Sequence, residues 1–158
     1  MSELPKRKPN RLVNYDYSMP GCYFVTVCTK DKSCILGTVR ASEGSAQASV
    51  QLSELGRWTD EAVRAIPSVY SGVTLDTYVV MPNHIHLLLR LSENGTGLPS
   101  LSRIIQQTKR RVSRLAERPI WQEHFHDHIV RGEEDYLEIR QYIANNPAKW
   151  NLDRYHRE

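Results

Sequence analysis

Two histidines separated by one residue are the first feature of this 158-residue sequence that could do chemistry. His84 and His86 flank Ile85 within an otherwise largely apolar run, residues 79–89. On a β-strand, residues i and i+2 lie about 6.6 Å apart on one face, so the two imidazoles would converge. With a third ligand they could bind zinc or another transition metal, and an added oxygen ligand would also suit Mg²⁺ or Mn²⁺. The alternative is a pair of histidines on a solvated sheet face.

A second group of histidines alternates at His124, His126 and His128. If this segment is a strand, all three share one face with Gln122 and form another candidate metal site. No carboxylate or cysteine shares that face, because Asp127 would point away from it. A surface position or a contact with a partner is therefore the favoured interpretation.

A tyrosine and an asparagine stand one helical turn apart near the C-terminus. Tyr142 and Asn146 are neighbours by i, i+4 spacing, so a phenol and an amide oxygen could reach one site. A phenol has an ordinary pKa of about 10 and is a poor nucleophile at neutral pH. Tyr142 would therefore need a metal that polarises its electrophile. Packing is the alternative role, as expected for Tyr136, which lies on the apolar stripe of the same helix.

The elements that would position these side chains follow from the spacing of apolar, capping and turn residues. We predict strands over residues 21–29, 74–80, 84–91 and 120–131, and helices from Ser53 to Pro67, from 98–100 to about Glu117, and from 133–135 to Asn145. The resulting β-α-β-β-α-β order predicts an α+β fold of the ferredoxin-like or RRM-like class, an antiparallel sheet with helices on one face. An additional C-terminal helix would carry Tyr142.

Length and composition favour one domain over residues 1–158. Within it we predict a basic arm over 1–12, a hairpin insertion over 35–52 and a polar tail over 148–158. No apolar run approaches the ~20 residues of a membrane span, and the basic start has no apolar signal core, which favours the cytoplasm. Three cysteines without a C-x-x-C motif indicate neither a disulfide framework nor a zinc knuckle.

The distribution of charge along the chain is more informative about a binding partner than the net charge of +3. Basic residues cluster in the N-terminal arm and along the second predicted helix, which is compatible with an anionic partner. A solvated helix face explains the second cluster equally well. The candidate DNA contacts are Lys6, Arg7, Lys8, Arg11, Arg103, Lys109, Arg110, Arg111 and Arg114.

Several motifs together carry a family resemblance that spans about residues 11–150. Met81-Pro82-Asn83 runs into His84-Ile85-His86, and further matching blocks stand at residues 20–26, 121–122, 127–131, 135–136 and 142–149. In these blocks the chain resembles the REP-associated tyrosine transposases, bacterial relatives of the single-tyrosine HUH insertion-sequence transposases. HUH denotes two histidines around a bulky hydrophobic residue.

The resemblance implies an RRM-like fold and a residue-by-residue assignment of roles. Tyr142 falls at the nucleophile position, and His84, His86 and Asn146 fall at the positions that hold Mg²⁺ or Mn²⁺. The implied substrate is single-stranded DNA with a hairpin, cleaved through a 5′-phosphotyrosine that a 3′-hydroxyl can resolve by strand transfer. Basic residues would grip phosphates. Related transposases are monomers or homodimers, and no membrane partner is implied.

Two other functions compete with this hypothesis. The first is a non-catalytic protein that binds single-stranded nucleic acid on an RRM-like sheet, with Tyr78 as a stacking residue. The second is a metal-dependent phosphoesterase that uses water as its nucleophile. Replacing Tyr142 by Phe would silence the tyrosine mechanism and spare the water mechanism.

Overall fold

The computed structural model describes residues 21–41, 48–92 and 99–157 of the chain. Its strands are β1 (Gly21–Cys28), β2 (Gly37–Ala41), β3 (Ala48–Leu52), β4 (Val73–Val80), β5 (His84–Leu91) and β6 (His126–Ile129). Its α-helices are α1 (Glu54–Arg64), α2 (Ile66–Val69), α3 (Leu101–Ala116) and α4 (Gly132–Asn145). Short 3₁₀ turns occupy Lys30–Lys32 and Trp150–Leu152. The basic arm predicted over residues 1–12 lies outside the described residues, and so does the turn that Glu43-Gly44-Ser45 predicts within the hairpin insertion.

Four strands form one antiparallel sheet in the order β4-β5-β1-β6. The two central strands, β1 and β5, are the most apolar, and the β4–β5 hairpin turns at Pro82-Asn83. This strand order, with a helix-containing crossover before β4 and another before β6, is the ferredoxin-like arrangement. The α+β prediction is confirmed.

The two faces of the sheet are covered by different helices. Alternate residues of β1, including Tyr23 and Val25, face a core that contains Val63 of α1 and Ile104 of α3. Because side chains alternate along a strand, Cys22 and Phe24 face the other way, where Ile139 and Ile143 of α4 cover them. The C-terminal helix is thus set apart from the other two, as predicted.

Serine caps fix where two of the helices begin. The Ser53 hydroxyl accepts a hydrogen bond from the Gly56 amide (3.0 Å), and the Ser100 hydroxyl accepts one from the Arg103 amide (3.2 Å). Such caps satisfy donors that a helix leaves unpaired at its first turn. Helix α1 ends at Arg64, three residues before Pro67, and α2 continues the chain from Ile66.

The prediction of one strand over residues 120–131 is wrong in extent. Only His126–Ile129 pairs with β1, and an isolated bridge joins Trp121 to Thr29. The Lys109 ammonium donates to the backbone carbonyls of Gln122 and Glu123 (2.7 and 3.1 Å), so these carbonyls have a partner on α3 rather than on a neighbouring strand. The strand therefore starts only at His126.

Residues 35–52, predicted as a hairpin insertion, contain two paired strands on either side of residues that the structure does not describe. Strands β2 and β3 pair in a separate two-stranded sheet, with Gly37 opposite Leu52 and Val39 opposite Val50. The backbone of Leu36 joins this hairpin to the main sheet through hydrogen bonds with Pro82 and Ser53 (both 2.9 Å).

Candidate active site

His84 and His86 lie side by side on the face of the sheet that α4 covers. They stand opposite Cys28 and Thr26 of β1, and their rings are 4.6 Å apart between centroids. Their exposed fractions are 0% and 1%, so the alternative of a solvated histidine pair is wrong. The alternation of β5 therefore converges the two imidazoles inside the protein.

Each imidazole uses its Nδ1 atom for a hydrogen bond with a buried polar side chain. His84 Nδ1 pairs with Asn83 Oδ1 and His86 Nδ1 pairs with Thr26 Oγ1, both at 2.8 Å. Histidines that bind metals typically hold the second nitrogen in this way, which fixes the ring orientation. The other nitrogen of His84, Nε2, faces the carboxylate of Asp153.

Asp153 completes this cluster, although no sequence motif marked it. The ligand-type atoms of His84, His86 and Asp153 lie within 4.8 Å of one another, and His84 Nε2 is 4.0 Å from Asp153 Oδ2. Asp153 follows the 3₁₀ turn at Trp150–Leu152 in the segment predicted as a polar tail. It is 67 positions from His86 in the sequence, so no short-range spacing could have found it.

Aromatic rings of the same C-terminal segment pack against His84. The Tyr155 ring lies 4.5 Å from the His84 ring, and the Trp150 ring stacks on it at 6.1 Å. Both aromatic residues are buried, and Asp153 Oδ1 accepts a hydrogen bond from the Tyr155 amide (2.8 Å). These contacts hold the carboxylate beside the histidines.

Helix α4 brings Tyr142 and Asn146 to the cluster. The Tyr142 ring meets the His86 ring at 5.3 Å in an edge contact, and Phe24 packs on its other side. Asn146 caps the helix, is 3% exposed and interacts with His84, Tyr142 and Asp153. The i, i+4 spacing thus places the phenol and the amide at the same buried site.

The donor atoms at this site fit a divalent cation. His84 Nε2, Asn146 Oδ1 and Asp153 Oδ2 are buried and have no hydrogen-bond partner among the described residues. A buried polar atom left without a partner costs about 1–3 kcal/mol, so several such atoms in one buried cluster favour a ligand there. Burial lowers the pKa of His84 to about 3, which keeps the imidazole in its neutral, metal-binding form. Two imidazoles with an amide and a carboxylate oxygen suit a transition metal such as Mn²⁺.

The Tyr142 phenol is protonated at neutral pH in the metal-free protein. Burial, and next the negative charge of Asp153, raise the pKa of Tyr142 to about 12. A cation next to the ring would act in the opposite direction, because it stabilises the phenolate.

The basic residues of α3 do not lie at this site. Arg103, Arg110, Arg111 and Arg114 are exposed on a helix that packs against the opposite face of the sheet. Lys109 is half-buried, and its ammonium donates hydrogen bonds to the backbone carbonyls of Gln122 and Glu123. Burial lowers the pKa of this ammonium. Lys6, Arg7, Lys8 and Arg11 lie outside the described residues.

In the second histidine group, His128 pairs with a carboxylate of α4. His128 Nε2 pairs with Asp135 Oδ2 at 2.8 Å, and the same oxygen accepts a hydrogen bond from the Arg131 amide (2.9 Å). His124 is exposed and precedes β6, so the predicted alignment of three histidines on one strand is wrong. In the described part of the chain, these histidines join no metal-type cluster.

Comparisons with known proteins identify relatives of the chain, although no family model matches it. An uncharacterized protein of Haemophilus influenzae is 30% identical over a 171-residue alignment that covers 94% of this chain and 92% of that protein. A second H. influenzae protein, provisionally named a REP-associated tyrosine transposase, is 23% identical and covers 90% and 84%. A REP-associated tyrosine transposase of Escherichia coli K12 is 29% identical over 93 residues, 53% of this chain and 55% of that protein.

A solved structure agrees with these relatives on the fold. A REP-associated tyrosine transposase bound to a REP hairpin matches with a TM-score of 0.65 and 22% identity, over 94% of this chain and 74% of that one. In sequence and in fold, the chain is similar to proteins named REP-associated tyrosine transposases. No helix of the described ranges combines the length and the hydropathy that a bilayer span requires.

Proposed function

We propose that this protein is a metal-dependent, single-tyrosine HUH enzyme that nicks and rejoins single-stranded DNA at or near hairpin repeats. The observation that carries the proposal is the buried cluster in which Tyr142 contacts His86 while Asn146 and Asp153 face His84. The whole chain would act as one such domain. A DNA substrate of this kind would place the protein in the bacterial cytoplasm.

The proposed reaction transfers a phosphodiester bond to the protein and back. Tyr142 Oη attacks the phosphorus, the bond from phosphorus to the 3′ oxygen breaks, and the phenol proton ends, in sum, on the departing 3′-hydroxyl. The product is a 5′-phosphotyrosine and a free 3′ end. Attack by a 3′-hydroxyl reverses these changes and joins strands without an external energy source.

Some residues of the site would bind the metal ion, and others would position the Tyr142 phenol. His84, His86 and Asn146 would hold Mg²⁺ or Mn²⁺ together with Asp153, and the ion would polarise the scissile phosphate and help the 3′ oxygen to depart. The two imidazole donors favour Mn²⁺ of these two ions, because Mg²⁺ prefers oxygen ligands and retained water. Phe24 and the His86 ring hold the Tyr142 phenol at the site.

The DNA partner follows from charge and from the relative that is bound to a REP hairpin. The exposed arginines of α3 and the basic residues of the N-terminal arm would contact phosphates of a hairpin. Such contacts predict an affinity that falls steeply with salt. Either a monomer or a homodimer would satisfy this function.

A gel assay for a covalent adduct tests the proposal. The full chain is incubated with labelled single-stranded hairpin oligonucleotides taken from repeats near its own gene, with Mn²⁺, Mg²⁺ or EDTA. The test variant is Tyr142→Phe. Tyr136→Phe is a matched control, because Tyr136 lies on the same helix and its hydroxyl donates to Asp76 outside the metal cluster (2.6 Å).

We expect a protein–DNA band that requires metal, disappears in Tyr142→Phe and persists in Tyr136→Phe. Cleavage that survives Tyr142→Phe would make water the nucleophile and overturn the tyrosine mechanism. Hairpin binding without cleavage in any metal would instead indicate the non-catalytic binding protein.

A further inference from the structure

Asn83 is a fully buried polar residue at the turn between β4 and β5, next to His84 in the sequence. We propose that Asn83 is a positioning residue that holds His84 in the tautomer with the proton on Nδ1, which leaves Nε2 bare and aimed at the metal. This inference rests on the proposed metal role of His84. It concerns how the ligand is prepared before any ion arrives.

The orientation of the Asn83 amide follows from its two other hydrogen bonds. Its Nδ2 atom donates to the backbone carbonyls of Tyr155 (2.6 Å) and Lys32 (3.1 Å). Carbonyl oxygens can only accept, so the amide nitrogen must occupy that side. The Oδ1 atom is therefore the one that faces His84.

The tautomer of His84 follows from this orientation. Asn83 Oδ1 accepts and cannot donate, so the 2.8 Å contact with His84 Nδ1 requires a proton on that nitrogen. A neutral imidazole carries one N–H, and the complete burial of this ring disfavours its charged form. His84 Nε2 then presents a lone pair toward Asp153 Oδ2, 4.0 Å away.

The backbone of Asn83 fixes the same residue from a third direction. Its carbonyl accepts hydrogen bonds from both the amide and the hydroxyl of Thr29 (2.9 and 3.1 Å). Asn83 thus joins the end of β1, the turn at Lys32 and the C-terminal segment to one metal ligand. Two of these segments bind the side-chain amide and the third holds the backbone, so the amide has little freedom to rotate and the fold imposes the tautomer.

The decisive measurement is the ¹⁵N chemical shift pattern of the His84 imidazole in the full-length, metal-free protein. Multiple-bond ¹H–¹⁵N spectra distinguish the two neutral tautomers, and His84→Gln assigns the signals. We expect His84 protonated on Nδ1 in the natural protein. A His84 signal of the opposite tautomer would overturn the inference without any variant of Asn83.

Variants separate this role from ordinary stabilisation. Asn83→Leu removes the acceptor at nearly the same volume, and we expect mixed His84 tautomers and Mn²⁺ affinity reduced about 10- to 100-fold, as measured by electron paramagnetic resonance of Mn²⁺ alone. Thr59→Val is the matched control, because it removes a buried hydroxyl that bonds Leu55 on the other face of the sheet (2.8 Å). It should leave tautomer and affinity unchanged.

The outcomes also separate this inference from the proposed function. If the natural protein shows the expected tautomer but binds no Mn²⁺, the proposed metal site fails and so does the purpose assigned to Asn83. If it binds Mn²⁺ and Asn83→Leu binds equally well with an unchanged tautomer, only the inference on Asn83 fails.

Discussion

At the scale of single residues, the site is defined by polar atoms that the fold buries without giving them protein partners. Thr26 and Asn83 hold the outer nitrogens of the histidines, while Asp153 and Asn146 supply oxygen atoms to the space between. Such an arrangement is costly in a protein that binds nothing, because every uncompensated buried group lowers stability. A cation bound at the cluster would offset this loss of stability.

The ligand role proposed for Asp153 can be tested directly. Asp153→Asn keeps the shape of the side chain but removes the negative charge nearest to His84 Nε2. We expect Mn²⁺ affinity to fall about 10- to 100-fold in a titration followed by electron paramagnetic resonance. Asp135→Asn is the control, since Asp135 pairs with His128 outside the cluster. Equal affinities in the two variants would remove Asp153 from the ligand set.

The Thr26 hydroxyl should contribute to stability as well as to ligand orientation. Thr26→Val removes the buried partner of His86 Nδ1 at nearly constant volume. We expect the free energy of unfolding to fall by about 1–3 kcal/mol in urea titrations with EDTA. A variant as stable as the natural protein would show that this hydrogen bond contributes no net stability.

At the scale of elements, helix α4 contacts the sheet through Asp76, which lies at a β-bulge in β4. The pairing of β4 with β5 shifts between Leu75 and Thr77, so Asp76 is an extra residue on its strand. The shift lets Leu75 and Tyr78 both pack against the core and leaves Asp76 facing α4. There its carboxylate accepts the Tyr136 hydroxyl (2.6 Å) and pairs with Arg140.

This anchor should stabilise the packing of α4 against the sheet. Asp76→Ala should destabilise the protein by about 1–3 kcal/mol and speed hydrogen exchange of the α4 amides, because the half-buried Tyr136 hydroxyl loses its acceptor and the exposed Arg140 loses its ion-pair partner. Asp60→Ala is a matched control, since Asp60 accepts the Tyr78 hydroxyl (2.6 Å) beside α1. Faster exchange in α4 after Asp60→Ala, or none after Asp76→Ala, would contradict the anchoring role.

At the scale of the whole molecule, the sheet separates the candidate active site from the exposed arginines of α3. The metal cluster and Tyr142 lie on the α4 face, and the exposed arginines of α3 lie on the opposite face. In the described part of the chain, these arginines form no ion pair with a carboxylate. If they grip DNA, a hairpin must reach the back of the sheet while its single-stranded end reaches the front.

Removing charge from α3 should therefore weaken DNA binding without slowing the chemical step. In the double variant Arg110→Gln and Arg114→Gln, we expect the slope of log affinity against log salt to fall by about 1–2 for a hairpin oligonucleotide. The cleavage rate at saturating protein should stay unchanged, because the metal cluster lies across the sheet. An unchanged salt slope would show that these arginines form a solvated helix face and contact no DNA.

The sequence by itself determined the local features of this protein. Alternation on β5 put His84 and His86 on one face, and helical spacing put Tyr142 and Asn146 one turn apart. Serine caps and prolines predicted where helices begin and end within a few residues. Each of these follows from interactions between residues fewer than five positions apart, which the sequence displays directly.

Only the tertiary structure decided what meets across long stretches of chain. It brought Asp153 to the histidines, placed α3 behind the sheet, shortened β6 and directed Asp76 toward α4. None of these features has a periodic signal, because each depends on packing between elements far apart in sequence. The C-terminal segment shows the reason most clearly: its polar residues predict a tail, but the apolar rings of Trp150 and Tyr155 are buried only because the folded site offers His84 to pack against.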